Sequence, residues 1–280
     1  MDWLITPFTS NTFMLNALIA GILVSISCGV IGTFIVLRGL AFIGDALAHG
    51  VLPGIAVAIL LGVPGILGAA AGAVVMIAGI SLITRRTRLS SDTAIGLLFV
   101  GMLALGVVIV SRSNAFTGDL VRVLFGEILG ISRQSILIQL LATLVIIITC
   151  AVCSRPFLLL CFNPEQAQVS GFPVSLYHNI MLALVALTVI ISFQTVGTLL
   201  VFGMLLAPAG AAALIARKVR TMMVWASLFG SLSVYAGLLA SYYLNLAAGS
   251  SIVLTATFLF FIVFAVRNRK LESTSLGGSR

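Results

Sequence analysis

Six long stretches of this chain contain no Asp, Glu, Lys or Arg: Trp3 to Leu37, Gly50 to Thr84, Thr93 to Ser111, Gln134 to Ser154, Gln166 to Ala216 and Thr221 to Val266. A helix that crosses a bilayer needs roughly 20 consecutive apolar residues. Several of these runs are long enough for two such helices. Ordinary soluble domains carry about 25% charged residues; this chain carries 8%, with a mean hydropathy of +1.26. The expected fold class is therefore all-α, a polytopic helical membrane protein with about eight to nine transmembrane segments. Residues 1–270 are expected to form one transmembrane domain. The Ser/Gly-rich end, 271–280, reads as a disordered tail.

The most economical parse has nine hydrophobic segments, at about 12–37, 41–61, 65–84, 91–111, 134–154, 176–194, 197–216, 222–244 and 250–267. One of them reads as a candidate for a broken or re-entrant helix. Basic residues decide the orientation. Alternate connections hold Arg38, then Arg85, Arg86 and Arg88, then Arg155, then Arg217, Lys218 and Arg220, and finally Arg267, Arg269, Lys270 and Arg280. That is 12 of the 15 basic residues; Arg112, Arg122 and Arg133 fall on the other side. Loops rich in Lys and Arg stay in the cytoplasm. The N-terminus is then outside, the C-terminus inside, and the long connection 112–133 outside. Its apolar part, Leu120 to Ile131, reads as a short helix lying at the outer surface. The net charge of +8 is spent on topology, so nucleic acid is not expected as a partner.

Against this background one pair of residues stands out. Asp45 is the only carboxylate inside a long apolar stretch, and His49 follows four residues later in Gly44-Asp45-Ala46-Leu47-Ala48-His49-Gly50. Four residues is one helical turn, so both side chains share a face. Measured as helical rise from Arg38, the pair lies roughly 10–16 Å into a ~30 Å core. Ionisable groups at that depth are costly and mark transport pathways. A carboxylate with an imidazole suits a divalent transition metal. A buried Asp–His contact that fixes helix packing fits the spacing equally well.

Other segments carry weaker signals. Asn163-Pro164-Glu165-Gln166-Ala167-Gln168-Val169-Ser170-Gly171 has a helix N-cap, a Pro at the first helical position and a Gly at the stop. It reads as a short polar helix, either a plain connection or a docking point for a cytoplasmic partner. Pro208, inside the segment 197–216, removes a backbone donor and favours a kink. Gly68 and Gly72 form a G-x-x-x-G that suits close helix packing. His178, near the cytoplasmic surface, reads as interfacial. Cys28, Cys150, Cys153 and Cys161 read as small buried hydrophobes. The chain has no phosphate-binding loop, so it does not itself hydrolyse nucleotide by that route. It also lacks the H-E-x-x-H and G-x-S-x-G patterns of hydrolases.

Together these blocks resemble the membrane-spanning permease of the ABC importers for manganese, zinc or iron. The resemblance rests on Arg38-Gly39-Leu40-Ala41-Phe42-Ile43-Gly44-Asp45 through His49, with Val51-Leu52-Pro53-Gly54. It continues in Asp119-Leu120, Leu124-Phe125-Gly126-Glu127, the Pro164–Gly171 segment, and Val196-Gly197-Thr198 with Ala207-Pro208-Ala209. It implies metal ligation by Asp45 and His49. It also implies a permease pair, homodimer or paralogue, and a cytoplasmic ABC ATPase dimer that binds the ATP and docks on Asn163, Pro164, Glu165, Ala167 and Gly171. An extracytoplasmic solute-binding protein would deliver the ion, with Asp119, Arg122, Glu127 and Arg133 as its contact or as an outer gate. No permanently bound cofactor is implied, and the location would be a bacterial inner membrane. Two alternatives are a gradient-driven secondary metal transporter and an ABC permease for a metal chelate.

Overall fold

The computed structural model describes residues 2–111 and 130–277. Every regular element among them is a helix. In chain order they are α1 (Asp2–Ser10), α2 (Thr12–Arg38), α3 (Ile43–Gly50), α4 (Leu52–Leu60), α5 (Gly65–Arg86) and α6 (Ser91–Ser111). There follow α7 (Arg133–Val152), α8 (Ser154–Phe162), α9 (Pro164–Val169), α10 (Val174–Val196), α11 (Thr198–Ile215), α12 (Val219–Leu244) and α13 (Ala248–Gly277). Among the described residues, eight stretches are long and apolar enough to cross a membrane, and Leu199–Ile215 is a shorter ninth. All nine hydrophobic segments expected from the sequence are therefore present.

The differences from the sequence reading have local causes. The second span is split into α3 and α4 at Val51, because Pro53 cannot donate to the His49 carbonyl four residues before it. Segment 134–154 ends at Val152, two residues early, and a separate helix, α8, follows with Pro156 in its first turn. The first helix, α1, has no counterpart in the expected set. Helix α13 runs on to Gly277, into the segment expected to be a tail. The outer-surface helix expected within 120–131, with Asp119, Arg122 and Glu127, lies outside the described residues up to Gly130.

Helix α2 is the hub. It packs against α12, α11, α7 and α10. A lipid environment gives no hydrophobic drive for helices to associate, so close packing and interhelical hydrogen bonds must hold them. Both are present. Ser27 of α2 meets Thr143 of α7 at 2.8 Å between hydroxyls, and Gln139 of α7 donates to Ser192 of α10 at 3.4 Å. Helices α4 and α5 touch backbone to backbone: a Cβ added at Gly54 would overlap the carbonyl oxygen of Gly68. The expected packing role of the Gly68–Gly72 pair is thus realised. On the far side, Arg267 of α13 donates to the Leu214 carbonyl of α11. Large apolar side chains such as Leu97, Val100, Leu254 and Phe258 point outward, as a surface facing acyl chains requires.

Candidate functional site

The site begins with a turn. Helix α2 ends at Arg38, and Gly39 follows with φ +66°. The Gly39 N–H bonds to the Val36 carbonyl and the Leu40 N–H to the Ile35 carbonyl. This pattern closes the helix through a left-handed residue, which glycine adopts without penalty. The chain then turns and starts α3 at Ile43. Helical rise toward Asp45 therefore starts at Ile43 and not at Arg38, which corrects the straight-rise depth of 10–16 Å.

Lateral neighbours set the level of the pair instead. A side chain at Gly44 would meet Leu205 of α11, and one at Gly50 would meet Met76 of α5. The His49 ring lies 5.8 Å from that of Phe99 in α6. Met76, Phe99 and Leu205 all sit well inside their helices. The Asp45–His49 turn is thus level with the middle portions of three spans.

Both side chains are half-buried on one face of α3. His49 Nε2 stands 3.4 Å from Asp45 Oδ1. That is an electrostatic contact, longer than a good N–H···O bond. Nδ1 of His49 is buried with no hydrogen-bond partner. Pro53 has no N–H to offer the His49 carbonyl, which accepts from the Val51 N–H at the end of α3. Two side-chain donors thus share one turn: an imidazole nitrogen and a carboxylate. Nitrogen and oxygen donors of this kind suit first-row divalent metals. No group of three or more His, Cys, Asp or Glu side chains is gathered among the described residues. Phe99 carried no signal in the sequence, since it is one apolar residue in an apolar run.

The polar segment forms as expected. The Asn163 side chain caps α9 by accepting from the Gln166 N–H at 3.0 Å, and Pro164 opens the helix. Gly171 closes it with φ +81°, while the Phe172 N–H bonds to the Ala167 carbonyl. Ala167 is buried, Glu165 and Gln168 are exposed, and Val169 is 89% exposed. An apolar residue that exposed on a polar helix had no counterpart in the sequence expectation. Directly after the helix, the Phe172 ring lies 5.8 Å from Tyr177, Tyr177 6.4 Å from Phe157, and Phe157 5.4 Å from Phe34 in α2. Edge-to-face rings thus link the end of α9 to the hub helix.

The remaining expected residues are dispersed. Pro208 lies inside a continuous α11. Arg133 is the first residue of α7 and is exposed. His178 has a partner after all: Arg38 Nη1 lies 2.7 Å from its Nδ1. An arginine can only donate, so Nδ1 accepts and His178 stays neutral in this contact. All four cysteines are free; Cys28 and Cys150 are buried, whereas Cys153 and Cys161 are half-buried.

Comparison with known proteins adds the following. The profile described as the ABC 3 transport family matches residues 10–267. The chain is 38% identical over 253 residues to the manganese transport system membrane protein MntC of Listeria monocytogenes, covering 90% of each. It is 35% identical over 265 residues to a protein of Haemophilus influenzae described as a probable iron transport system membrane protein, covering 94% of this chain and 97% of that one. Among solved structures, PsaBC from Streptococcus pneumoniae in complex with Fab superposes with a TM-score of 0.82 at 36% identity, over 93% of this chain and 94% of the other.

Proposed function

Because the chain belongs to the ABC 3 transport family, we propose that it is the permease subunit of an ATP-driven importer of divalent transition-metal ions. Manganese and iron are the cargoes named for its relatives, and zinc would fit the same donor set. The observation that carries the reading is the half-buried Asp45–His49 pair, level with the middle of α5, α6 and α11, with an unpartnered imidazole nitrogen.

In this mechanism two permease chains present Asp45 and His49 to a shared pathway. The two carboxylates offset the charge of the ion in a low-dielectric site, and neutral imidazoles complete the sphere. The ion arrives at the outer face from a solute-binding protein, with the 112–133 connection, Arg133 included, as its seat or gate. A cytoplasmic ATPase pair hydrolyses ATP and moves the spans through α9. The N-terminus is outside and the C-terminus inside, in a bacterial inner membrane.

The test is uptake of radioactive Mn²⁺ by proteoliposomes holding the permease with its ATPase and binding protein. Asp45→Asn and His49→Ala should each abolish uptake while leaving membrane insertion and ATPase association intact. Normal uptake by both variants would remove the metal-site assignment.

A further inference from the structure

A cavity of about 830 Å³ lies among α2, α7, α8, α9 and α12, away from Asp45 and His49. Its walls are apolar: Val30 and Phe34 of α2, Ile147 of α7, Leu158 and Leu159 of α8, and Met223 of α12. Val30 is eight residues before Arg38, so the cavity reaches ~12 Å along α2 from that helix end. Helices α7 and α12 both pack on α2, and the cavity fills the gap between them. Ile147 and Ala151 line it and are exposed on the outward face of α7, beside the exposed Leu144 and Ile148. The opening is therefore sideways, toward lipid.

Two guanidiniums, Arg155 and Arg220, also line the cavity, and both are exposed. Among the described residues neither has a carboxylate partner within ion-pair distance. Gln166 and Ser170 of the α9 segment add an amide and a hydroxyl. An apolar slot between spans, open to lipid and edged by unpaired basic groups, matches one ligand chemistry: a phosphate on an acyl chain.

We propose that this cavity binds an anionic phospholipid. One acyl chain lies along Val30, Phe34 and Met223, and the phosphate sits between Arg155 and Arg220, against the α9 segment. Two other occupants fit less well. The ATPase proposed to dock on α9 would meet its exposed Glu165, Gln168 and Val169, none of which lines the cavity. A second copy of the chain would bring its own pair of arginines, and Glu165 is the only acidic residue in the five lining helices. The inference rests on the membrane-spanning fold and not on the cargo, so its readout contains no metal.

The experiment counts lipid retained by the full-length chain. The protein is equilibrated in nanodiscs of equal phosphatidylglycerol and phosphatidylcholine, transferred to mild detergent, and examined by native mass spectrometry. Phosphatidylglycerol should be retained over phosphatidylcholine. A basic side chain near an anionic headgroup contributes roughly five-fold. Arg155→Ala with Arg220→Ala should therefore cut that preference about 25-fold, and the double Lys variant should restore most of it. Ala151→Trp, which narrows the opening but keeps both arginines, should also reduce retention. The proposal is overturned if the wild type holds both lipids equally, or if the double Ala variant or Ala151→Trp retains lipid like the wild type. Displacement by millimolar inorganic phosphate would reveal a free-anion site and overturn it too. Loss of permease pairing in the double Ala variant, with lipid retention unchanged, would assign the cavity to a second copy.

Discussion

At the residue scale the site turns on His49, whose contacts leave one nitrogen buried and unbonded. A metal ligand must be the neutral imidazole, so protons and metal compete for it. Mn²⁺ affinity of the wild type should fall as pH is lowered and recover when it is raised, in a calorimetric titration series. An affinity independent of pH in the acidic range would exclude imidazole ligation. Gly54 matters in another way, because α4 meets α5 there with no room for a side chain. Overpacking of a tight contact costs about 1–3 kcal/mol. Gly54→Leu should lower the melting temperature of the detergent-solubilised protein and displace Pro53, the residue that divides α3 from α4. A melting temperature equal to that of the wild type would show that the two helices can separate freely. Asp45 and His49 were legible in the sequence because charge in an apolar run is rare and costly. Phe99 was not, since its importance comes from packing on His49 across helices.

At the scale of elements, the short helix α9 joins two properties that a coupling point needs. Glu165, Gln168 and Val169 face outward, and the chain just beyond it meets the ring sequence Phe172, Tyr177, Phe157 and Phe34. Gly171 has open space around it, so its substitution acts through backbone φ alone. A β-branched residue forced into the left-handed region costs about 1–2 kcal/mol. Gly171→Val or Glu165→Lys should leave Mn²⁺ binding at Asp45 and His49 in place and reduce ATP-dependent uptake. Phe157→Ala, which breaks the ring sequence without touching α9, should raise ATP hydrolysed per ion carried. If all three variants transport with wild-type coupling, the stroke enters elsewhere, with the Arg217–Arg220 connection next in line. The caps of α9 could be read directly, because Asn, Pro and Gly at these positions have local backbone causes. The split between α3 and α4 was harder to see: Pro53 marks it, but the hydrophobic run continues unbroken through it. Helix α8 was hidden for another reason: Arg155 and Pro156, which read as the end of a span, sit in its first turn.

At the scale of the whole molecule, nine helical segments were legible because charge-free runs measure bilayer thickness and short uncharged separators such as Gly62-Val63-Pro64 divide the longest of them. Their arrangement was not, since α2 became the hub through small residues and hydroxyls that carry little pattern. Under the proposed function one chain would be insufficient. Asp45 and His49 would provide two side-chain ligands, and no further His, Cys, Asp or Glu joins them among the described residues. A single carboxylate leaves a divalent ion with uncompensated charge in a low-dielectric setting, which is strongly unfavourable. Two chains related by a two-fold axis would bring a second carboxylate and a second imidazole, and would neutralise the ion. The expected stoichiometry is thus one Mn²⁺ per two permease chains, read by metal analysis of the purified complex at saturation. Two permease copies fused in one polypeptide allow a sharper measurement. His49→Ala in one copy should weaken binding well over ten-fold, and the same change in both copies should abolish it. One tightly held Mn²⁺ per chain, or a single-copy variant that keeps half the sites at full affinity, would show that each chain binds alone and would end the shared-site mechanism.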